Sequence, residues 1–144
     1  IATVPYKLLK EFKINVDGLV LDMCYSHKDN LIICTSKEPA EITAIDASTG
    51  VTRWQTNQLN GHSIRPWGIT TLACDDRVVV ADIDEHVLYE MKVTKQEFSV
   101  LREISTTRLC DLGWPRWVSW CAHSKCLIVQ SYKYQQQALL WLHI

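Results

Sequence analysis

The chain contains no C-x-x-C, no G-x-S-x-G and only five glycines. Each shortage removes a class of chemistry. Without C-x-x-C, the usual zinc and thioredoxin-type spacings are missing. Without a nucleophile elbow, no serine triad can be nominated, although Ser and His are both present. So few glycines leave no Gly-rich phosphate loop. No apolar run reaches 18 residues, so no membrane-spanning helix is expected. Nothing in the first residues has the pattern of a secretory signal. A basic excess is also missing: 15 Lys and Arg face 16 Asp and Glu, for a net charge of -1. Counterion release supplies most of a general nucleic-acid binder's affinity, so this balance argues against that class.

Six cysteines are present, at 24, 34, 74, 110, 121 and 126. An even count permits disulfides, but a chain this long and apolar does not need them. Reduced, mostly buried thiols in a cytoplasmic protein are expected.

What the chain does have is an apolar fraction of 47% over 144 residues, enough for one domain with a real core. It also repeats. Residues 18–46, 67–93 and 117–144 can be laid over one another, with Cys24, Cys74 and Cys121 in the same place, 50 and then 47 residues apart. That period suits a propeller blade. Strand a reads as Val20–Tyr25, Ile69–Cys74 and Val118–Ala122, each ending at or beside that cysteine. Strand b reads as Leu31–Thr35, Arg77–Asp82 and Cys126–Ser131. Strand c reads as Glu41–Asp46, Val87–Val93 and Ala138–His143. Thr52–Thr56 and Phe98–Ile104 are candidates for strand d. The predicted blades are 18–56, 67–104 and 117–144, with one further strand-like segment at 6–14.

The b strands decide the architecture. "LIIC", "VVVA" and "LIV" are continuous apolar runs, whereas a sheet with one wet face alternates apolar and polar residues. Short polar turns and no helical crossover imply antiparallel sheets. Antiparallel sheets covered on both faces arise when blades stack radially; a two-layer sandwich covers only one face. An all-β propeller of four-stranded blades is therefore expected. Gly50, in "DASTG", suits a positive-φ turn. Pro66 and Pro115 suit strand boundaries.

"PWGITTLACDDRVVVADIDEHVLYEM" resembles the NHL repeat, through Pro66, Gly68, Ile69, Val80, Ala81 and Asp82. The other two units match less fully. "ITAIDASTGVTRW" is similar to the docking segment of quinoprotein-type propellers, through Ala44, Asp46, Thr49, Gly50 and Trp54. In it the Asp and Thr close the turn and Trp54 packs on a neighbouring blade; no quinone cofactor is implied. The NHL resemblance implies a six-bladed ring that binds protein or RNA through one face. Three blades cannot close a ring, since propellers need about four to eight. The expectation is therefore either two chains forming six blades, with segment 6–14 supplying a missing strand d, or a portion of a larger propeller.

Three groups of residues are site candidates. Cys121, His123 and Cys126 could hold a metal or close a disulfide, but small buried hydrophobes are the preferred reading. Asp75, Asp76, Asp82, Asp84 and Glu85 could hold calcium, but six or more oxygens are needed and solvated turn residues are preferred. No cofactor or metal is expected. The third group is the propeller face that gathers the d–a and b–c loops. It would collect His62, Arg65 and Trp67, then Trp114, Arg116 and Trp117. The b–c loops add Lys37 and Glu38, then Asp84, Glu85 and His86, then Tyr132, Lys133, Tyr134 and Gln135. Arg, Trp and Tyr anchor interfaces and also stack on unpaired bases.

For the tryptophans, core or inter-blade packing is the preferred reading, whereas Arg65, Arg116, Lys133 and Tyr134 are expected at the surface. Charges on this face nearly balance, which favours a protein or peptide ligand. The alternatives are single-stranded RNA on the same face, and a propeller enzyme, a metal-dependent lyase or lactonase with ligands near the axis.

Overall fold

The computed structural model describes residues 11, 14, 16–73, 76–110, 113–133 and 136–144, with the backbone alone at 109, 110, 133 and 136. Most of segment 6–14 lies outside the described residues, as do Cys74, Asp75, Tyr134 and Gln135. Three antiparallel sheets follow one another along the chain. The first has the order β1 (Leu19–Ser26), β2 (Leu31–Lys37), β3 (Glu41–Asp46), β4 (Thr52–Thr56). A small hairpin, β5 (Gln58–Leu59) and β6 (His62–Ser63), precedes the second sheet. That sheet comprises β7 (Pro66–Thr71), β8 (Arg77–Asp82), β9 (Val87–Val93) and β10 (Phe98–Ser105). A short helix, α1 (Thr106–Cys110), leads to β11 (Trp114–Cys121), β12 (Cys126–Lys133) and β13 (Gln136–His143) of the third sheet. This is a β-propeller arrangement, with the first strands β1, β7 and β11 side by side.

The b strands are covered on both faces. In β8, Val78 and Val80 pack with Leu31, Ile33, Ile42 and Ala44 of the first sheet. Val79 and Ala81 pack with Val118, Leu127 and Val129 of the third. All four β8 residues are 0–1% exposed. Period-two geometry sends alternate side chains to opposite neighbours, which is why the run is apolar throughout.

Side chains of the preceding sheet reach the inner edges of the second and third sheets. β7 has no ladder partner on that edge. Its Ile69 N–H donates to Asp22 Oδ2 at 3.0 Å, and its Trp67 carbonyl accepts from Thr35 Oγ1. One sheet further on, Trp120 N–H donates to Thr70 Oγ1 at 3.2 Å. Buried backbone groups need such partners, so these side chains fix how adjacent sheets sit together. Glu90, 2% exposed and facing the third sheet, is held by Arg77 (2.7 Å) and Arg102.

The segment around Gly50 closes as its sequence implies. Asp46 Oδ1 accepts from Ser48 N (2.9 Å) and Thr49 N (3.3 Å), Thr49 Oγ1 accepts from Val51 N (3.3 Å), and Gly50 has φ +75°. Trp54 reaches the second sheet, meeting Phe98 with ring centroids 5.0 Å apart.

Several expectations need correction. β1 continues two residues past Cys24, and β7 ends at Thr71 before Cys74, so the a strands do not all end at the cysteine. Pro115 lies inside β11, where the strand has slipped register, rather than ahead of it. The d–a connections, expected as loops, carry the hairpin β5–β6 and helix α1.

Candidate functional site

The connections on one end of the propeller are tied to each other. Asp82 Oδ1, at the end of β8, accepts from the backbone N–H of Asp84 (3.0 Å), Glu85 (3.4 Å) and Arg65 (3.3 Å). Ile83 N–H donates to the Arg65 carbonyl at 3.2 Å. Thr106, at the start of α1, donates its N–H (2.9 Å) and Oγ1 (2.8 Å) to the His86 carbonyl. These bonds gather both d–a connections around the 83–86 turn. Asp82 thus closes the turn through Oδ1, while its Oδ2 is buried without a hydrogen-bond partner among the described residues. Burial pushes its carboxyl above the usual range, and the three N–H donors act against that shift. No group of three or more His, Cys, Asp or Glu suited to a metal ion occurs among the described residues.

Two recesses open on this end. One, of about 310 Å³, is lined by Arg65, Trp67, Ile83, Asp84, Trp114 and Arg116. The other, of about 380 Å³, is lined by Lys37, Glu38, Ala40, Ile64, Arg65, Trp67 and Asp84. Arg65, Trp67 and Asp84 belong to both, so they form one groove.

Register slips aim its key side chains. β7 slips between Pro66 and Ile69 and β11 between Pro115 and Trp117, so Trp67 and Arg116 fall outside the regular pairing. A bulge re-aims the side chain it carries. The Arg116 guanidinium lies over the Trp67 ring (5.3 Å to the centroid) and over the Tyr132 ring (4.9 Å). Tyr132 stacks on Trp114 at 6.4 Å, and Trp114 on His86 at 6.3 Å. Trp67 meets Trp117 edge-on at 6.5 Å. Such cation–π and ring contacts stiffen an exposed surface. Two turn residues at the groove, Glu38 (φ +59°) and His86 (φ +54°), adopt the left-handed region that non-glycine residues seldom occupy.

The structure therefore brings together Lys37, Arg65, Trp67, Asp84, His86, Trp114 and Arg116. It does not bring in His62, which sits exposed on the β5–β6 hairpin, or Glu85, which is exposed and lines neither recess. Lys133 pairs through its backbone with Gln136, and Tyr134 lies outside the described residues. Two expectations reverse. Trp114 and Trp117 are 45% and 41% exposed instead of buried in packing. Arg116 is half-buried instead of open to solvent, and its Nε is buried without a hydrogen-bond partner. Tyr132, expected in a b–c loop, belongs to β12, where it pairs with Trp114, and that cross-strand position supplies the second ring for Arg116.

Among the described residues the cysteines form no disulfide. Cys121 and Cys126 are cross-strand partners at the end of the β11–β12 hairpin, and both are free, as are Cys24 and Cys34. Cys126 Sγ lies 3.4 Å from His143 Nδ1.

Comparison with known proteins supports the fold and stops there. No family model matches the chain, and no curated protein matches it in sequence. Solved structures do match. Hydrazine synthase of Kuenenia stuttgartiensis superimposes with a TM-score of 0.68 at 14% identity, over 96% of this chain and 36% of that one. A chain of the mitotic checkpoint complex gives 0.68 at 9% identity, over 88% and 37%. The dihydro-heme d1 dehydrogenase NirN gives 0.62 at 16%, over 83% and 25%. These are propeller-type proteins, and this chain has the propeller fold. It spans a quarter to somewhat over a third of their lengths. Their functions are mixed, and fold alone does not choose among them. No described helix is long and apolar enough to cross a membrane.

Proposed function

We propose that the chain is a non-catalytic interaction module of NHL-like type, which takes a protein or peptide segment in the groove between the d–a connections and the 83–86 turn. The observation that supports this most directly is the cluster of partly exposed Trp67, Trp114, Arg116 and Tyr132 on strands rather than on free loops. Rigid aromatic anchors with an arginine are the composition of binding hot spots. Their mutual stacking lowers the ordering cost of capturing a ligand. Lys37, Arg65 and Arg116 are accompanied by Glu38 and Asp84, and so small a basic excess favours a polypeptide over the phosphates of RNA.

The test is selection of displayed random peptides on the immobilised protein. Enrichment of peptides whose binding is lost on Trp114→Ala supports the reading. Failure of selection, combined with salt-dependent binding of labelled single-stranded RNA that falls on Arg65→Ala, overturns it in favour of RNA.

The same reading includes self-association. On β13, Leu140 and Leu142 pack inward, while Leu139 (68% exposed) and Trp141 (58%) form an apolar row on the opposite face. Such a row resembles the inter-sheet faces inside the molecule, and a second copy closing a six-sheet ring would cover it. Light scattering on a sizing column should give twice the chain mass; a stable monomer counts against it.

A further inference from the structure

Resting on the peptide reading above, we infer that the groove selects a carboxylate, and that Arg116 is the residue that receives it. The argument is an imbalance of donors and acceptors. No hydrogen bond or ion pair reaches the Arg116 side chain from the described residues, although rings hold its guanidinium on two sides. Its Nε and the neighbouring Trp67 Nε1 are both buried without a partner. Guanidinium and indole nitrogens are donors only. The one carboxylate lining the same recess, Asp84, is engaged by Arg65 at 3.2 Å, with both side chains 57% exposed. Among the described residues, then, the recess is lined by side chains whose donors lack acceptors and by a positive charge without a counter-ion. A guanidinium held over rings keeps N–H groups to offer a ligand, and their planar fork matches the two oxygens of a carboxylate.

Two sources offer this group to a groove on a folded domain: an Asp or Glu side chain, and the C-terminus of a peptide. The first survives when the peptide end is blocked and the second does not.

The experiment uses the full chain and two display libraries of random peptides, one fused through its C-termini and one with free C-termini. Enriched sequences are resynthesised and titrated by fluorescence anisotropy. Selection of an acidic residue from the blocked library is expected, with binding about tenfold or more weaker for the Glu→Gln peptide. Arg116→Gln should make the Glu and Gln peptides bind alike, and Arg116→Lys should restore part of the difference. Enrichment from the free-end library alone, abolished by amidation and by Arg116→Gln, assigns the carboxylate to a C-terminus.

Because the Glu→Gln comparison uses the unaltered protein, a variant that misfolds does not spoil it. Peptides that bind without a carboxylate, a phosphoserine peptide that binds more tightly than its Glu counterpart, or equal selectivity in Arg116→Gln would each overturn the assignment while leaving peptide binding in place. No enrichment from either library removes both readings.

Discussion

The indole N–H of Trp54, on the outermost strand of the first sheet, donates to the carbonyl of Thr94, in the turn between β9 and β10 of the second sheet, at 2.9 Å. One residue thus spans two blades, with an apolar ring against Phe98 and a polar tip satisfied on a turn. Trp54→Phe keeps most of the ring and leaves the Thr94 carbonyl to water. It should cost about 0.5–1.5 kcal/mol in urea unfolding. Trp54→Ala should cost distinctly more, because it also opens the seam between the sheets. Equal midpoints for the two variants would show that the ring carries nothing.

The Asp46 turn predicts an acid dependence. A hydrogen bond from Arg53, at 2.7 Å, is the largest cause holding the Asp46 carboxyl down at about 2, against an ordinary 3.8. The Ser48 and Thr49 N–H groups and Lys95 add to it. A depressed carboxyl contributes stability above its unfolded pKa and loses it as pH falls through the folded value. Arg53→Gln should therefore lower the urea midpoint at about pH 6, and its deficit should shrink as pH falls from about 4 towards 2. A deficit constant across that window would assign the effect to packing instead.

Asp82 carries the opposite sign. Its carboxyl is raised above 3.8 by burial, so ionisation costs native stability as pH rises through the raised value. Asp82→Asn keeps an oxygen for the three N–H groups and removes the buried charge. It should gain on the parent protein as pH increases. Asp82→Ala orphans those donors and should cost about 1–3 kcal/mol. It should also loosen the 83–86 turn, seen as faster amide hydrogen exchange at Asp84 and Glu85.

Much of this fold was legible because β-sheet patterning is local. β3, β4, β8 and β9 occupy the expected residues, since each is a short apolar or alternating run bounded by turn formers. The hairpin at β5–β6 carries a local signal as well: Asn60–Gly61, at φ +49° and +78°, is the Asn-Gly pair that a tight hairpin favours. The shape of the groove was not legible. Trp67 and Arg116 are aimed by register slips, and the slip in β7 is held by Asp22 and Thr35, more than thirty residues upstream in another sheet. Nothing next to Trp67 in sequence announces that. The same remoteness explains why Arg116 was expected at the surface, although two rings cover it.

The cysteines should differ in reactivity. Burial, with the Asp22 charge nearby, raises the Cys24 thiol, and burial pushes Cys34 up to about 11. The Ser124 hydroxyl, together with the backbone N–H groups of Ser124 and His123, lies beside Cys121 and lowers its thiol. Thiolate is the reactive form. At about pH 8, iodoacetamide should modify Cys121 before Cys24 and Cys34, as read by mass spectrometry of the digested protein. Early labelling of Cys34 would mean that the first sheet opens readily.

Gly68 is the sharpest test of how the groove is built. It lies in the slipped part of β7, against β11. A Cβ placed there would clash with the Arg116 carbonyl oxygen and sit 2.8 Å from the Trp117 Cα. Both are backbone atoms in a strand, so no side chain can swing away to make room. Gly68→Ala must push β7 and β11 apart, at about 1–3 kcal/mol for overpacking. The separation would fall on the residues that carry Trp67 and Arg116, so ligand capture should weaken even in protein that remains folded. A Gly68→Ala protein with parental stability and parental peptide binding would mean that the two innermost strands do not approach as closely as described, and the stacked arrangement over Arg116 would lose its foundation.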